Sequence, residues 1–294
     1  MLRKLALTSL YRLHELLNII AKYGIDDFLD NLPHTAVIKI ALAPYRTKWA
    51  FSKTRKGDLA KRTRIALEEL GPIYIKLGQL FSTRPDFIDS SIANELKLLQ
   101  DSVTPFLTPS VQDLLYEHLG SSPTEIFSDI EEKPLASASI AQVYAATLKT
   151  GEEVVIKIIK PGIISVIKTD FGVLKKIASI IESRTKFGRR LKLAEVLSDY
   201  EKVILNETNL KLEAANTSKL ESNFSGSSNL YVPKIYWDYT RQNVLVMEKI
   251  DGIPVTNIDE LQSHGINLKT LSEVGVDIFF TQVFEHNFFH ADMH

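Results

Sequence analysis

The 294 residues predict an α+β fold: a helical amino-terminal region, a small antiparallel sheet, then helix again. Three observations carry that expectation. Up to about residue 125, apolar side chains recur at helical spacing between prolines. Leu135 to Lys160, LASASIAQVYAATLKTGEEVVIKIIK, places runs of Ile and Val on either side of Thr150-Gly151, which favours hairpins over helix. From Ile163 the helical period returns. The expected divisions are a helical extension over 1–128, a sheet-bearing domain over 129–250, and a hinge leading into further helix over 251–294.

Composition removes several classes of function. A net charge of −1 without a lysine-rich arm argues against nucleic acid as the main partner. The absence of cysteine excludes disulfides, thiolate zinc sites and a cysteine nucleophile. The seven histidines are scattered and none stands in an HExxH pair.

Taken in order, residues 2–23 set Leu5, Leu10, Leu13, Leu16, Leu17 and Ile20 on one helix face, with Arg3, Lys4, Arg12 and Lys22 on the other. Such a helix either packs on its own domain, the ordinary outcome, or rests on a membrane surface. The segment is broken by Arg12, His14 and Glu15, so it is neither a signal peptide nor a spanning helix. Arg46 to Arg64 is strongly basic and reads as a solvated face that would also suit anionic headgroups. Gly71-Pro72 opens a helix whose apolar stripe is Ile73, Leu77, Leu80 and Phe81, with Lys76 and Gln79 on a polar flank. A further short helix is expected over Ile92 to Leu99.

Beyond the hairpins, Ile163 to Glu182 is expected to be helical, and after a basic turn a single long helix is expected from about Ala194 to Leu220. Its stripe would be Val196, Tyr200, Val203, Leu210 and Ala214, with Glu207 inside it and Glu213 about 9 Å further along the axis on another flank. A carboxylate in an apolar stripe needs a cation or metal. Tyr231 to Asp238 and Asn243 to Lys249 read as two strands turning at Arg241-Gln242. Leu268 to Asn287 reads as a buried helix of a water-soluble domain, because Glu273, Asp277 and Glu285 interrupt it.

The chemistry centres on Lys157, at the end of the apolar strand Val154-Val155-Ile156-Lys157. A lysine on an interior strand requires an anion, either a carboxylate of the protein or a phosphate of a ligand. The pattern has the form of the kinase V-A-I-K strand, whose lysine contacts the α- and β-phosphates of ATP and pairs with a helix glutamate.

With these residues in view, the sequence resembles the UbiB/ADCK family of atypical protein-kinase-like proteins, most closely its bacterial ubiquinone-biosynthesis branch, from about residue 10 to the last. Lys76-Leu77-Gly78-Gln79 matches the family's KxGQ helix, Leu135 to Val143 its alanine-rich loop, and Glu207 to Asn216 its ExD and EAxN helix. His290-Ala291-Asp292 matches the start of its HADxHPGN loop. The resemblance implies a protein-kinase-like amino lobe with a helical amino-terminal extension, the carboxy lobe being largely missing from these residues. It implies ATP and Mg²⁺ as cofactors, with Lys157 as the nucleotide-binding lysine and Glu213 as its partner. Glu207 would face Lys76 across the active site, and Asp292 would be the catalytic-loop base. Leu135, Ala136, Ser137, Ala138, Ser139, Ile140, Ala141, Gln142 and Val143 would cover the phosphates. That loop has no glycine, so positive φ is costly within it and it should be stiffer than a glycine-rich loop.

The match departs from the family in two places. Asn209 stands where ExD has aspartate, and no residue is assigned as a metal ligand. The magnesium-binding asparagine and the DFG-type aspartate of a kinase do not follow Asp292 within these residues, nor do the family's membrane helices. The expectation is therefore an amino-terminal fragment of a longer protein, or a truncated open reading frame, with no turnover by itself. Two functions are expected: from the resemblance, an ATP-dependent kinase or ATPase supporting ubiquinone biosynthesis, or, from the apolar first helix, the basic stretch over 46–64 and the incomplete metal set, a non-catalytic membrane-peripheral scaffold or lipid-handling chaperone for the quinone-making enzymes. The implied partners are nucleotide, a quinone-pathway lipid and its enzymes, and a membrane surface, at the cytoplasmic face of a bacterial inner membrane. Apolar surface is expected on Ile278, Phe279, Phe280, Val283 and Phe284.

Overall fold

The computed structural model describes residues 2–27, 36–83, 88–100 and 110–289. Helices α1 (Leu2–Tyr23), α2 (Ala36–Trp49), α3 (Leu59–Leu70), α4 (Pro72–Ser82) and α5 (Ser90–Lys97) come first, followed by α6 (Val111–Leu119) and α7 (Pro123–Ile126). Strands β1 (Phe127–Ile130), β2 (Ala136–Ser137), β3 (Ala141–Leu148) and β4 (Glu153–Ile159) follow. Next come α8 (Ile163–Arg184), α9 (Lys186–Leu191), α10 (Leu193–Glu207) and α11 (Leu210–Asn223), then β5 (Val244–Glu248), α12 (Ile258–Ser263) and α13 (Leu268–Phe280). This is the expected α+β arrangement. No helix among the described residues is long and apolar enough to cross a membrane.

The chain forms two compact units, Met1–Leu107 with Ser137–Gln142 and Ile159–Thr208, and Thr108–Ala136 with Val143–Ile158 and Asn209–His294. In the first unit, α3 starts at an Asp58 cap and α4 starts at Pro72, where the missing N–H costs nothing. Ala60, Ile75, Ile92, Leu96 and Leu99 form a core among α3, α4 and α5. Only part of the expected α4 stripe is inside: Ile73 is fully buried, whereas Leu80 and Phe81 are exposed. Two basic features also differ from expectation. Arg12, expected on a solvated face, donates to Asp170 of α8 and to the Leu70 carbonyl. The basic stretch after Pro44 is not simply solvated: Arg46 and Arg55 pair with buried Asp26, at 2.8 and 3.3 Å.

In the second unit the sheet order is β1-β3-β4-β5, and β1 pairs with β3 and β4 with β5 antiparallel. Leu148 and Glu152 close the β3–β4 turn, where Gly151 takes φ +101°. Val154, Ile156 and Ile158 of β4 enter one core with Val244 and Val246 of β5, Leu114 and Leu115 of α6, and Phe127. The expected strand over Tyr231 to Asp238 is absent. Apart from a bridge between Ile235 and Met247, flanked by the bonds Tyr236 N–H to Val246 O and Glu248 N–H to Lys234 O, the segment is irregular and ends in a 3₁₀ turn over Trp237–Tyr239.

The single helix expected over Ala194 to Leu220 is two helices. The α10 helix stops at Glu207, Thr208 and Asn209 leave the helical path, and α11 begins at Leu210, whose N–H donates to the Gln242 carbonyl at 2.8 Å. The break shifts the phase of the apolar face, so Val196 and Val203 are exposed while Ile204, Leu210 and Ala214 are fully buried. The expected burial of α13 is also corrected, since none of its residues is buried. Phe279, Phe280 and Phe284 are exposed, as expected for the aromatic patch, while Ile278 and Val283 are half-buried.

Candidate functional site

Lys157 lies in β4 between buried Ile156 and Ile158, opposite Leu245 of β5. Because successive side chains alternate across a strand, Ile156 and Ile158 fill the sheet core and Lys157 leaves by the other face. There its Nζ donates to both carboxylate oxygens of Glu213, at 2.7 and 2.8 Å. Glu213 occupies the first turn of α11, where the unpaired backbone N–H groups favour a negative charge. Leu210 and Ala214 fix that turn by being fully buried beside it. The side chains of Lys157 and Glu213 remain 26% and 38% exposed, so the pair is held but open to solvent. The pairing with Glu213, rather than with Glu207, matches the partner that the resemblance implied.

The other pair belongs to the first unit. Lys76 of α4 reaches Glu207, the last residue of α10, at 2.9 Å. Tyr200, two turns earlier on α10, donates its hydroxyl to the Lys76 carbonyl at 3.1 Å and so ties the two helices together. Burial, reinforced by the charge of Glu207, pushes the Tyr200 phenol up to about 12, which keeps it a donor at neutral pH. Gln79 donates to the Leu99 carbonyl at 3.0 Å. Gly78 lies against the α3–α5 core: a Cβ there would sit 2.5 Å from Leu99 Cδ1 and 2.8 Å from Leu67 Cδ1. The spacing of Lys76, Gly78 and Gln79 thus has a physical basis, with the lysine aimed at Glu207, the glycine admitting two leucines, and the glutamine capping a carbonyl.

The alanine-rich segment is a tight hairpin. Leu135 N–H donates to Val143 O at 2.8 Å, Ala138 N–H to Ala141 O at 2.9 Å, and Lys160 N–H to Ile140 O at 2.8 Å. None of its residues takes positive φ, so the turn closes without the glycines that such a conformation would demand. Leu135, Ala136 and Ala138 are exposed, Ser137 and Val143 half-buried, and Ser139, Ile140, Ala141 and Gln142 buried. Asn209, in the position of the ExD aspartate, has a buried Oδ1 with no hydrogen-bond partner. A buried amide oxygen without a donor is the kind of hard acceptor that a magnesium ion accepts, so this residue fits one ligand of such an ion. Among the described residues no group of three or more His, Cys, Asp or Glu is placed to hold a metal. Asp292 lies outside the described residues.

Sequence reasoning missed the Arg12 cluster. Arg12 pairs with Asp170, whose side chain is 1% exposed, bonds Glu15 at 2.7 Å, and lies over the Tyr74 ring. Burial alone would lower the Arg12 pKa, but its bonds to Asp170 and Glu15 raise it, so the guanidinium stays charged. Half of that signal is in the sequence: Asp170 falls among Ile167, Phe171 and Val173, all buried on α8, which calls for a cation without naming Arg12.

The ABC1 atypical kinase-like domain profile matches residues 98–294. A probable protein kinase UbiB of Cellvibrio japonicus is 49% identical over 284 residues, 96% of this chain and 50% of that protein. One from Azotobacter vinelandii is 48% identical over 290 residues, 98% of this chain and 54% of that protein. The chain thus spans about half the length of the curated relatives it matches. Among solved structures, the complex of Rv3197 with erythromycin from Mycobacterium tuberculosis aligns over 77% of this chain and 54% of that one, with 23% identity and a TM-score of 0.45.

Proposed function

Since the chain belongs to the ABC1 atypical kinase-like family and to its UbiB/ADCK group, we propose that it forms the nucleotide-holding part of an ATP-dependent atypical kinase or ATPase serving ubiquinone biosynthesis. The observation that carries this reading is the bidentate Lys157–Glu213 pair on a sheet strand and a helix amino terminus. Glu213 fixes the ammonium in place. Its partial exposure leaves it able to meet the α- and β-phosphate oxygens of ATP, an interaction strengthened because both partners are charged. The hairpin from Leu135 to Val143 covers the phosphates with a backbone already closed by its own hydrogen bonds. Asn209 contributes its Oδ1 to magnesium, which when bound neutralises phosphate charge, and Asp292 serves as the base that accepts the proton of the attacking hydroxyl or water.

The test is magnesium-dependent binding of a fluorescent ATP analogue to the wild-type chain and to Lys157→Ala. A loss of about tenfold or more is expected from removing one charge-assisted phosphate contact. Equal affinity in both would remove the basis for the reading.

A membrane-peripheral role, as a scaffold or lipid-handling partner of the quinone-making enzymes at the cytoplasmic face of a bacterial inner membrane, is favoured by a separate feature. Phe51 is 97% exposed in the turn after α2, and Lys48 and Lys53 stand close to it in sequence. An exposed aromatic beside cations suits an anionic lipid interface. Co-flotation with phosphatidylglycerol vesicles should fall in Phe51→Ser, and wild-type protein that stays with the soluble fraction would count against this role.

A further inference from the structure

We propose that the first unit carries a binding groove for a long aliphatic chain bearing an anionic head group, separate from the nucleotide-site residues. Between α1, α2 and α8 lies a cavity of about 450 Å³, within the range of small-molecule sites. Its walls are Leu13, Leu17 and Ile20 of α1 and Ile177 and Ile181 of α8, with Leu42 of α2 fully buried beside them. These wall residues recur every three to four positions on two helices, so the cavity is a trough along the helix axes rather than a round pocket. From Leu10 to Ile20 it runs ~15 Å at the helical rise. An extended chain advances roughly 1.2 Å per bond, so the trough accommodates about a dozen carbons.

The polar groups of the lining are few and unequal in availability. Asp26 is already engaged by Arg46 and Arg55. Lys176, between Val173 and Ile177, is exposed and makes no hydrogen bond or ion pair among the described residues. Apolar walls open to water are costly, and an aliphatic chain that covers them removes that cost. An unpaired ammonium at its edge selects a carboxylate or phosphate head group over a neutral one.

The probe is sodium dodecanoate, titrated below its micelle concentration into the intact chain by calorimetry. Saturable binding is expected, weakening about fourfold for each methylene removed from the tail in the wild-type protein. Ile177→Trp, which fills the trough, should abolish binding at an unchanged melting temperature. Lys176→Gln should weaken dodecanoate several-fold and leave 1-dodecanol unaffected. Displacement by phosphatidylglycerol vesicles would assign the tail to a bilayer lipid, and retention would assign it to a free amphiphile. Absence of saturable binding by the wild-type chain, no chain-length dependence, or undiminished binding by a folded Ile177→Trp would each overturn the proposal. Lys157→Ala should bind dodecanoate normally, so the outcome is independent of the nucleotide reading.

Discussion

Replacing Gly78 with alanine isolates the packing role of the KxGQ glycine. The new Cβ would lie 2.5 Å from Leu99 Cδ1 and 2.8 Å from Leu67 Cδ1, about 1 Å short of the ~3.5 Å at which carbon contacts become favourable. Leu67 is only partly buried and can yield, but Leu99 is 1% exposed and surrounded by the α3–α5 core. Overpacking of this kind costs about 1–3 kcal/mol, whereas exchanging glycine for alanine inside a helix returns about 1 kcal/mol. At the helical Gly172 of α8 an added methyl would meet no atom within 4 Å, so Gly172→Ala should collect the propensity gain alone. The two variants should therefore differ by about 1–3 kcal/mol, with Gly78→Ala the less stable. Urea unfolding is best followed by fluorescence in a Trp237→Phe background, where Trp49, bonded to Asn18 at 3.0 Å, reports the first unit alone. Equal gains at both positions would refute the argument that Gly78 is required by its neighbours.

Arg12→Met should destabilise the first unit by about 3–5 kcal/mol because it leaves Asp170 buried without a partner, and the double variant Arg12→Met/Asp170→Leu should recover most of it in the same urea assay. A double-mutant cycle on Lys157→Met and Glu213→Gln should give a coupling of about 1 kcal/mol, while the same cycle on the exposed pair Lys202 and Asp199 should give a value near zero. Glu69 responds to pH. Burial raises its pKa, but the bonds from Lys22 and Tyr23 outweigh that and hold it below its ordinary 4.5. Its contribution is thus fully present above 4.5 and lost as pH falls through the lowered folded value, so melting temperatures of wild type and Glu69→Gln should converge on acidification.

Much of this fold is legible in the sequence where a local rule and the tertiary environment agree. Gly151, between the largely apolar β3 run and the Val/Ile run of β4, marks the β3–β4 hairpin, and Pro72 after Gly71 marks the start of α4. Lys157 and Glu213 are identifiable as partners through the family pattern, and the geometry joins them. Two of the differences turn on a long-range bond that local pattern does not encode. No proline or glycine marks the break at Thr208-Asn209. What ends α10 and restarts α11 is the Leu210 N–H bonding Gln242, a partner more than thirty positions away in sequence. Reading Ala194 to Leu220 as continuous therefore puts Val196 and Val203 on the wrong face. Arg12 is misplaced for a related reason, since its partner Asp170 is 158 positions distant.

Burial then separates the ion pairs by what they can do. The side chains of Arg12 and Asp170 are 15% and 1% exposed, and Arg12 is also held by Glu15, the Leu70 carbonyl and the Tyr74 face, so an ion from solution would have to break several contacts at once to displace it. Lys157 and Glu213 are 26% and 38% exposed, and Lys76 and Glu207 are 28% and 38% exposed. Water at these pairs screens the attraction, so each contributes little to stability. The same openness lets an incoming anion compete for the ammonium without first paying to desolvate a sealed charge. A lysine within an interior strand, answered by a carboxylate in the first turn of a later helix and left accessible, is poorly suited to holding a fold together. It is well suited to exchanging one negatively charged partner for another, and that is what binding and releasing a polyphosphate requires.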